Sequence, residues 1–304
     1  MVGDLGQILA LAIRQDSIAR IDLDTGVVET FLADAGARPD GIVIRGGSAY
    51  WTTMGRPTFT PGEPPSERTA DYSHRNGGVH AIDLDGSNLR EIVPVGAITT
   101  GKQLASDGAW LYWSDREGSR VSRARLDGSG QADLVVRDAA EGIDGQCVGI
   151  AADAANGHLY WTQKGPAKGG RGRIFRCSLE LPEGESPDRR TDIETLWEGL
   201  PEPIDLELVD GWIYWTDRGA PPAGNTLNRA PIPTAGARGE APEILVDGLR
   251  EAIGLAVDPA RGWAHVSDLG GTITSVRLEP GADGTREVRR VDAGAPTTGI
   301  TLLG

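Results

Sequence analysis

Ile213-Tyr214-Trp215-Thr216-Asp217-Arg218-Gly219 sets two of the largest aromatic side chains side by side. The chain has 304 residues but only 5 Tyr, 8 Trp and 3 Phe. Successive side chains of a strand point to opposite faces, so a half-buried strand would hide only one ring of such a pair. The pair recurs at Tyr50-Trp51-Thr52-Thr53, Tyr112-Trp113-Ser114-Asp115 and Tyr160-Trp161-Thr162-Gln163. The intervals between the four Tyr are 62, 48 and 54 residues, and degenerate copies stand at Ala264-His265-Val266-Ser267-Asp268 and Leu9-Ala10-Leu11-Ala12.

A short apolar strand precedes each pair, as in Asp40-Gly41-Ile42, Val148-Gly149-Ile150 and Ile253-Gly254-Leu255, with a last copy at Thr298-Gly299-Ile300. Turn signals follow, as in Asp83-Leu84-Asp85-Gly86 and Asp127-Gly128, where Gly supplies the positive φ of a tight turn. Six units of roughly 50 residues with several strands each predict an all-β, six-bladed propeller of four-stranded antiparallel blades. Its single domain covers 1–304. Every blade is packed on both faces, so a Tyr-Trp pair sends one ring into each neighbouring interface. The Thr298–Leu302 strand is predicted to complete the first blade beside the strand near Ile8, which removes an open sheet edge.

Composition narrows the remaining classes. Net charge is −14, which argues against a nucleic-acid partner. No apolar run is long enough to span a bilayer. The N-terminal MVGDLGQILALAIRQD lacks a basic n-region and a cleavage-like site, so we read a cytoplasmic protein, with a monomer favoured. Cys147 and Cys177 stand alone in different strands and are expected to be reduced thiols.

The Tyr-Trp-Thr/Ser-Asp and Leu-Asp-Gly pattern resembles the YWTD six-bladed propellers of the low-density-lipoprotein receptor group, over nearly the whole chain. Thr53 and Gln163 depart from it by replacing the motif Asp, and no EGF-like modules or cysteine pairs accompany it. That group's receptor role therefore does not transfer. The strings TGKQL, YWSDREG, YWTQKGPAKGGRGRIFR, LPEPIDLEL and YWTDRGAPPAGNTLNRA are also similar to a microbial group of stand-alone propellers. That group includes fungal hetero-Diels–Alderases, which join tropolone-derived quinone methides to a terpene alkene.

Loops after the second strands and linkers into the first strands share one end of a propeller. Here that end carries a long insertion, 52–78, with Tyr72, His74 and Arg75, and enlarged loops after Trp161 and Trp215. Loops beyond about 12–15 residues in a compact domain are usually functional or disordered. Around the channel the first strands offer mainly small or apolar residues. Lys102, Gln103 and Asp205 are exceptions, with Gln146, Glu202 and Glu251 just upstream in their linkers and Asp40 at the matching position of another unit. A Lys102–Asp205 ion pair across the mouth is the structural alternative. Lys164 and Lys168 sit in a Gly-rich segment that lacks the strand-loop-helix setting of a phosphate loop. Asp115, Asp217 and Asp268 are expected to tie neighbouring blades together.

Three functions remain. The first is a metal-free, cofactor-free biosynthetic enzyme of cyclase or cycloaddition type, acting on a small organic substrate. Lys102 or Arg218 would be carbonyl donor, Gln103 the positioning group and Tyr72 a lid ring. Asp40, Gln146, Glu202, Asp205, Glu251, Lys164 and His74 would line the substrate site. Holding two reactants in attack geometry contributes up to about 7–11 kcal/mol, and a donor at a developing oxyanion adds to it. The second is a calcium-dependent lactonase-like hydrolase with Asp40, Glu202, Asp205 and Glu251 as ligands. Lys102 in the same ring stands against it. The third is a non-catalytic binding scaffold.

Overall fold

The computed structural model describes residues 5–66 and 69–304. Residues 67–68 of the predicted insertion and the first four of the chain lie outside the described residues. Among the described residues the strands form six four-stranded antiparallel sheets and one two-stranded ribbon. Blade I joins Thr297–Leu303 to Gln7–Ala12, Ser17–Asp22 and Val28–Leu32. Blade II comprises Pro39–Arg45, Ser48–Thr53, Gly77–Asp83 and Arg90–Ile98. Blade III comprises Gly101–Ser106, Trp110–Asp115, Arg120–Arg125 and Ala132–Val136. Blade IV runs over Cys147–Asp153, His158–Gln163, Gly172–Ser178 and Glu194–Leu200. Blade V holds Pro203–Val209, Trp212–Asp217, Thr226–Pro231 and Glu243–Val246. Blade VI holds Ala252–Asp258, Trp263–Asp268, Thr272–Arg277 and Val288–Asp292.

The six-bladed ring and its closure are as the repeat predicts. The C-terminal strand pairs antiparallel with Gln7–Ala12, with Ala10 opposite Ile300. The insertion is shorter than the sequence suggests. Thr52 and Thr53 finish one strand and Gly77 and Gly78 begin the next, leaving residues 54–76 as the connection. Inside it, Thr58–Phe59 pairs with Ala70–Asp71.

The rings separate as alternation requires. Trp113 packs with Tyr50 and Leu111 in the blade II–III interface, while Tyr112 packs with Trp161 and Phe175 in the blade III–IV interface. Tyr160 and Trp215 share the next interface, and Tyr214 enters the one after. Trp51, Trp161 and Trp215 have 1% or less of their surface exposed, so each pair buries both rings in different interfaces, at about 150–250 Å² per ring.

The blade-to-blade stitch is made by the hydroxyl residue of the motif. Thr162 Oγ1 accepts from Gly149 N in its own blade (2.7 Å) and donates to Ile204 O of the next (2.7 Å). Thr216 does the same with Asp205 N (3.1 Å) and Ile253 O (2.7 Å). Thr52 bridges Gly41 N (2.9 Å) and Lys102 O (2.5 Å). Blade I has Leu11 at this position, and there Thr298 Oγ1 donates to Pro39 O (2.8 Å) instead. The motif Asp serves its own blade, which corrects the expected role. Asp115 accepts from Thr99 N (3.0 Å) and Thr100 N (2.7 Å) of the entering linker and from Gly118 N (3.1 Å) of the following turn. Asp217 and Asp268 likewise take one linker N–H and one turn N–H each. Gln163 can only partly replace such an acceptor: its amide donates to Gly145 O (3.3 Å), and its buried Oε1 has no partner among the described residues.

Close approach of the first strands explains the glycine layer. A Cβ at Gly41, Gly149, Gly254 or Gly299 would strike backbone of the next blade's first strand. These residues form a waist in the channel, with Gln103 and Asp205 at the two non-glycine positions that the strand register aligns with them.

Candidate functional site

One residue above the waist, the six first strands present Thr298, Asp40 and Lys102 in blades I to III, then Val148, Ile204 and Ile253 in blades IV to VI. The last three pack on one another, with Leu269 against them. At this one position the first strands are therefore polar in blades I to III and apolar in blades IV to VI.

On the polar half, Lys102 Nζ donates to Asp40 Oδ2 and lies 3.4 Å from Met54 Sδ at the start of the insertion. Gln103 Nε2 donates to Asp40 Oδ1 (3.3 Å). Lys102 thus pairs with Asp40 and not with Asp205. Asp205 accepts from Leu206 N (2.9 Å) and from Leu255 N (3.0 Å) of blade VI. Burial, reinforced by nearby Glu207, raises its carboxyl well above the usual range. Burial also lowers the Lys102 ammonium; Asp40 opposes that shift and Arg116 adds to it.

The second cluster sits over blades IV and V. Glu202, with no exposed surface, accepts from Lys164 Nζ (3.3 Å) and from the backbone N–H of Lys168 (2.9 Å), and lies 3.3 Å from Arg218 Nε. Arg218 also reaches Glu251 (3.0 Å), as does Lys168 Nζ (3.1 Å). The Gly-rich segment after Gln163 is therefore tied across the mouth by two carboxylates. Burial lowers the Lys164 ammonium, partly offset by Glu202 and deepened by Arg218 and Arg116.

The structure brings Asp40, Lys102 and Gln103 into one group and Lys164, Glu202, Arg218 and Glu251 into another. Tyr72 is half-buried, its ring 5.3 Å from the Arg116 guanidinium carbon, and its carbonyl accepts from Thr100 Oγ1 (2.9 Å). His74 is exposed on the insertion, its ring 3.4 Å from Thr58 Oγ1. Gln146 is half-buried and caps the 3-10 turn Ala139–Gly145 through its backbone N–H. The residue that sequence reasoning left aside is Arg116, whose charge acts on both buried lysines. The signal was present: Arg116 follows Asp115 as Arg218 follows Asp217. Met54 carried no such signal.

A calcium ion would need Asp40, Glu202, Asp205 and Glu251 to converge. Three of them are held by lysine or arginine and the fourth by two backbone N–H groups. Among the described residues no group of three or more His, Cys, Asp or Glu is placed to hold a metal ion. This donor set does not fit the metal.

Residues 4–179 match the family described as SMP-30/Gluconolactonase/LRE-like region. The chain belongs to that family. A relative from Pyricularia oryzae named low-density lipoprotein receptor-related protein 1 is 41% identical over 285 residues, spanning 87% of this chain and 85% of the relative. A 3-hydroxyacyl-CoA dehydrogenase-like protein from Cochliobolus heterostrophus is 34% identical over 95% of this chain, which spans only 61% of that relative. Among solved structures, the nidogen/laminin complex contains a chain that superposes with a TM-score of 0.67 at 16% identity, over 97% of both chains. That likeness shows the fold. This family member is thus a six-bladed propeller of the YWTD type, and no helix among its described residues is long and apolar enough to cross a membrane.

Proposed function

We propose that the channel mouth is the active site of a small-molecule enzyme of cyclase or cycloaddition type, similar to the hetero-Diels–Alderases. The observation that carries this reading is the division of the mouth into an apolar arc, Val148, Ile204 and Ile253, and a charged arc that includes Lys102. Apolar reactants would lie against the first arc. A carbonyl turned toward the second would meet Lys102 Nζ, and one held over blade V the Arg218 guanidinium; either would stabilise negative charge developing on the oxygen. Away from bulk water, such a donor acts more strongly than it would in solution. Asp40, itself held by the Gln103 amide, keeps Lys102 in place, and Glu202 and Glu251 do so for Arg218. Tyr72, stacked on Arg116, closes the insertion side. Gln146 and Lys164 border the space; Asp205 and His74 lie at its margins.

Lactone hydrolysis is the second reading, favoured by the family's gluconolactonase members. One experiment separates the two. The protein is incubated with an ortho-quinone methide precursor plus an electron-rich alkene and, in parallel, with γ- and δ-lactones with and without calcium. Accelerated adduct formation that Lys102→Met and Arg218→Met abolish supports the proposal. Calcium-dependent lactone hydrolysis that survives Lys102→Met, with no effect on the cycloaddition, would overturn it.

A further inference from the structure

Below the waist the channel widens into a chamber of about 260 Å³, on the side of the ring away from the insertion. First strands of all six blades line it; Leu104, Leu206 and Ile300 turn into the inter-blade cores, and the surface that faces the chamber is more polar than apolar. Its size suits a ligand smaller than a drug-sized molecule, for which pockets run about 300–1,000 Å³. Asp205 and Glu207, two apart on one strand, both line it.

The two acids are not equivalent. Asp205 has both carboxyl oxygens on backbone N–H groups, at 2.9 and 3.0 Å. Glu207 has Oε2 on Val257 N (2.8 Å), which bridges blades V and VI, and Oε1 has no partner among the described residues. The cation of the chamber, Arg45, lies at its outer edge and is turned onto backbone, donating to Ile44 O (2.9 Å) and Ser106 O (3.0 Å). The chamber thus offers a mainly polar wall and one open carboxyl oxygen, in a protein of net charge −14. Burial raises the Glu207 acid to about 7, so a cation that needs the carboxylate would release a proton on binding near neutral pH.

We propose that this chamber binds a small ammonium ion, its N–H groups donating to Glu207 Oε1. The chamber reaches up to Gln103 and Asp205 at the level of the waist, and Glu207 lies two residues beyond Asp205 along its strand.

Isothermal titration of the full chain with n-butylammonium chloride, 1-butanol and butyrate tests this. Butylammonium is expected to bind, and more tightly than the other two. Glu207→Gln is expected to weaken it by about ten-fold or more, the usual scale for losing a charge-assisted hydrogen bond. Thr301→Leu, which fills the chamber without touching the acid, is expected to weaken it as well. Equal binding of butanol and butylammonium would overturn the proposal. So would a butylammonium isotherm unaltered by either substitution, or no binding of it up to about 50 mM. Melting curves show that each variant is folded.

Discussion

Lys164 and Glu202 meet at 3.3 Å at the channel mouth, and the carboxylate has no exposed surface. A buried charge is tolerable only while it is paired, and here one carboxylate answers Lys164, Arg218 and the Lys168 N–H. Glu202→Gln leaves the cations short of a counter-charge. Breaking a buried pair costs about 3–5 kcal/mol, and urea unfolding is expected to show a loss of that order. Proteolysis within 165–171 is expected to speed up too. A variant as stable and as protease-resistant as the parent would show that the segment is held by something else.

The hydroxyl stitch makes a second expectation. Thr216→Val keeps the shape and leaves Asp205 N and Ile253 O, both buried, without their partner. Unsatisfied buried groups cost about 1–3 kcal/mol each, so we expect a loss of about 2–4 kcal/mol, against under about 1 kcal/mol for Thr216→Ser. Chemical denaturation of both variants checks this, and equal stabilities would contradict the stitch.

Ring closure is tested by truncation. Removing residues 297–304 exposes the edge of Gln7–Ala12 and takes Ile300 out of the blade VI–I core. The melting transition is expected to lose cooperativity or to fall by more than about 10 °C. A truncated chain that melts like the parent would rule out closure by this strand.

The fold was legible because its signal is redundant. Each Tyr-Trp pair carries the same alternation, and Gly26 and Gly86 mark turns where φ is positive, 73° and 86°. The site was legible only in part. Lys102 and Asp40 are 62 positions apart, and nothing local says that Lys102 will choose Asp40 over Asp205. That choice depends on the ring geometry, which sets Asp40 one blade before Lys102 and turns Asp205 toward the Leu255 N–H. The role of the motif Asp was misread for a related reason. It stands next to the residue that crosses the interface, and only the hydrogen bonds show which of the two does so.

Glu207 gives the structure a pH dependence that can be signed in advance. Its acid sits at about 7 in the fold, against an ordinary 4.5, because burial disfavours the carboxylate. Between those values the folded protein holds the proton more tightly than the unfolded chain, so stability falls as pH rises through this window and levels off above it. The shift corresponds to at most about 3 kcal/mol. Asp217, raised by burial to about 6, adds a decline of the same sign over a lower and narrower range. Glu207→Gln removes the titration while keeping an acceptor for Val257 N. Denaturant unfolding from pH 4.5 to 8 is therefore expected to show a declining limb in the parent and a flatter one in Glu207→Gln, with the two diverging most above pH 7. Parallel profiles would mean that Glu207 ionises in the fold as freely as it does in water.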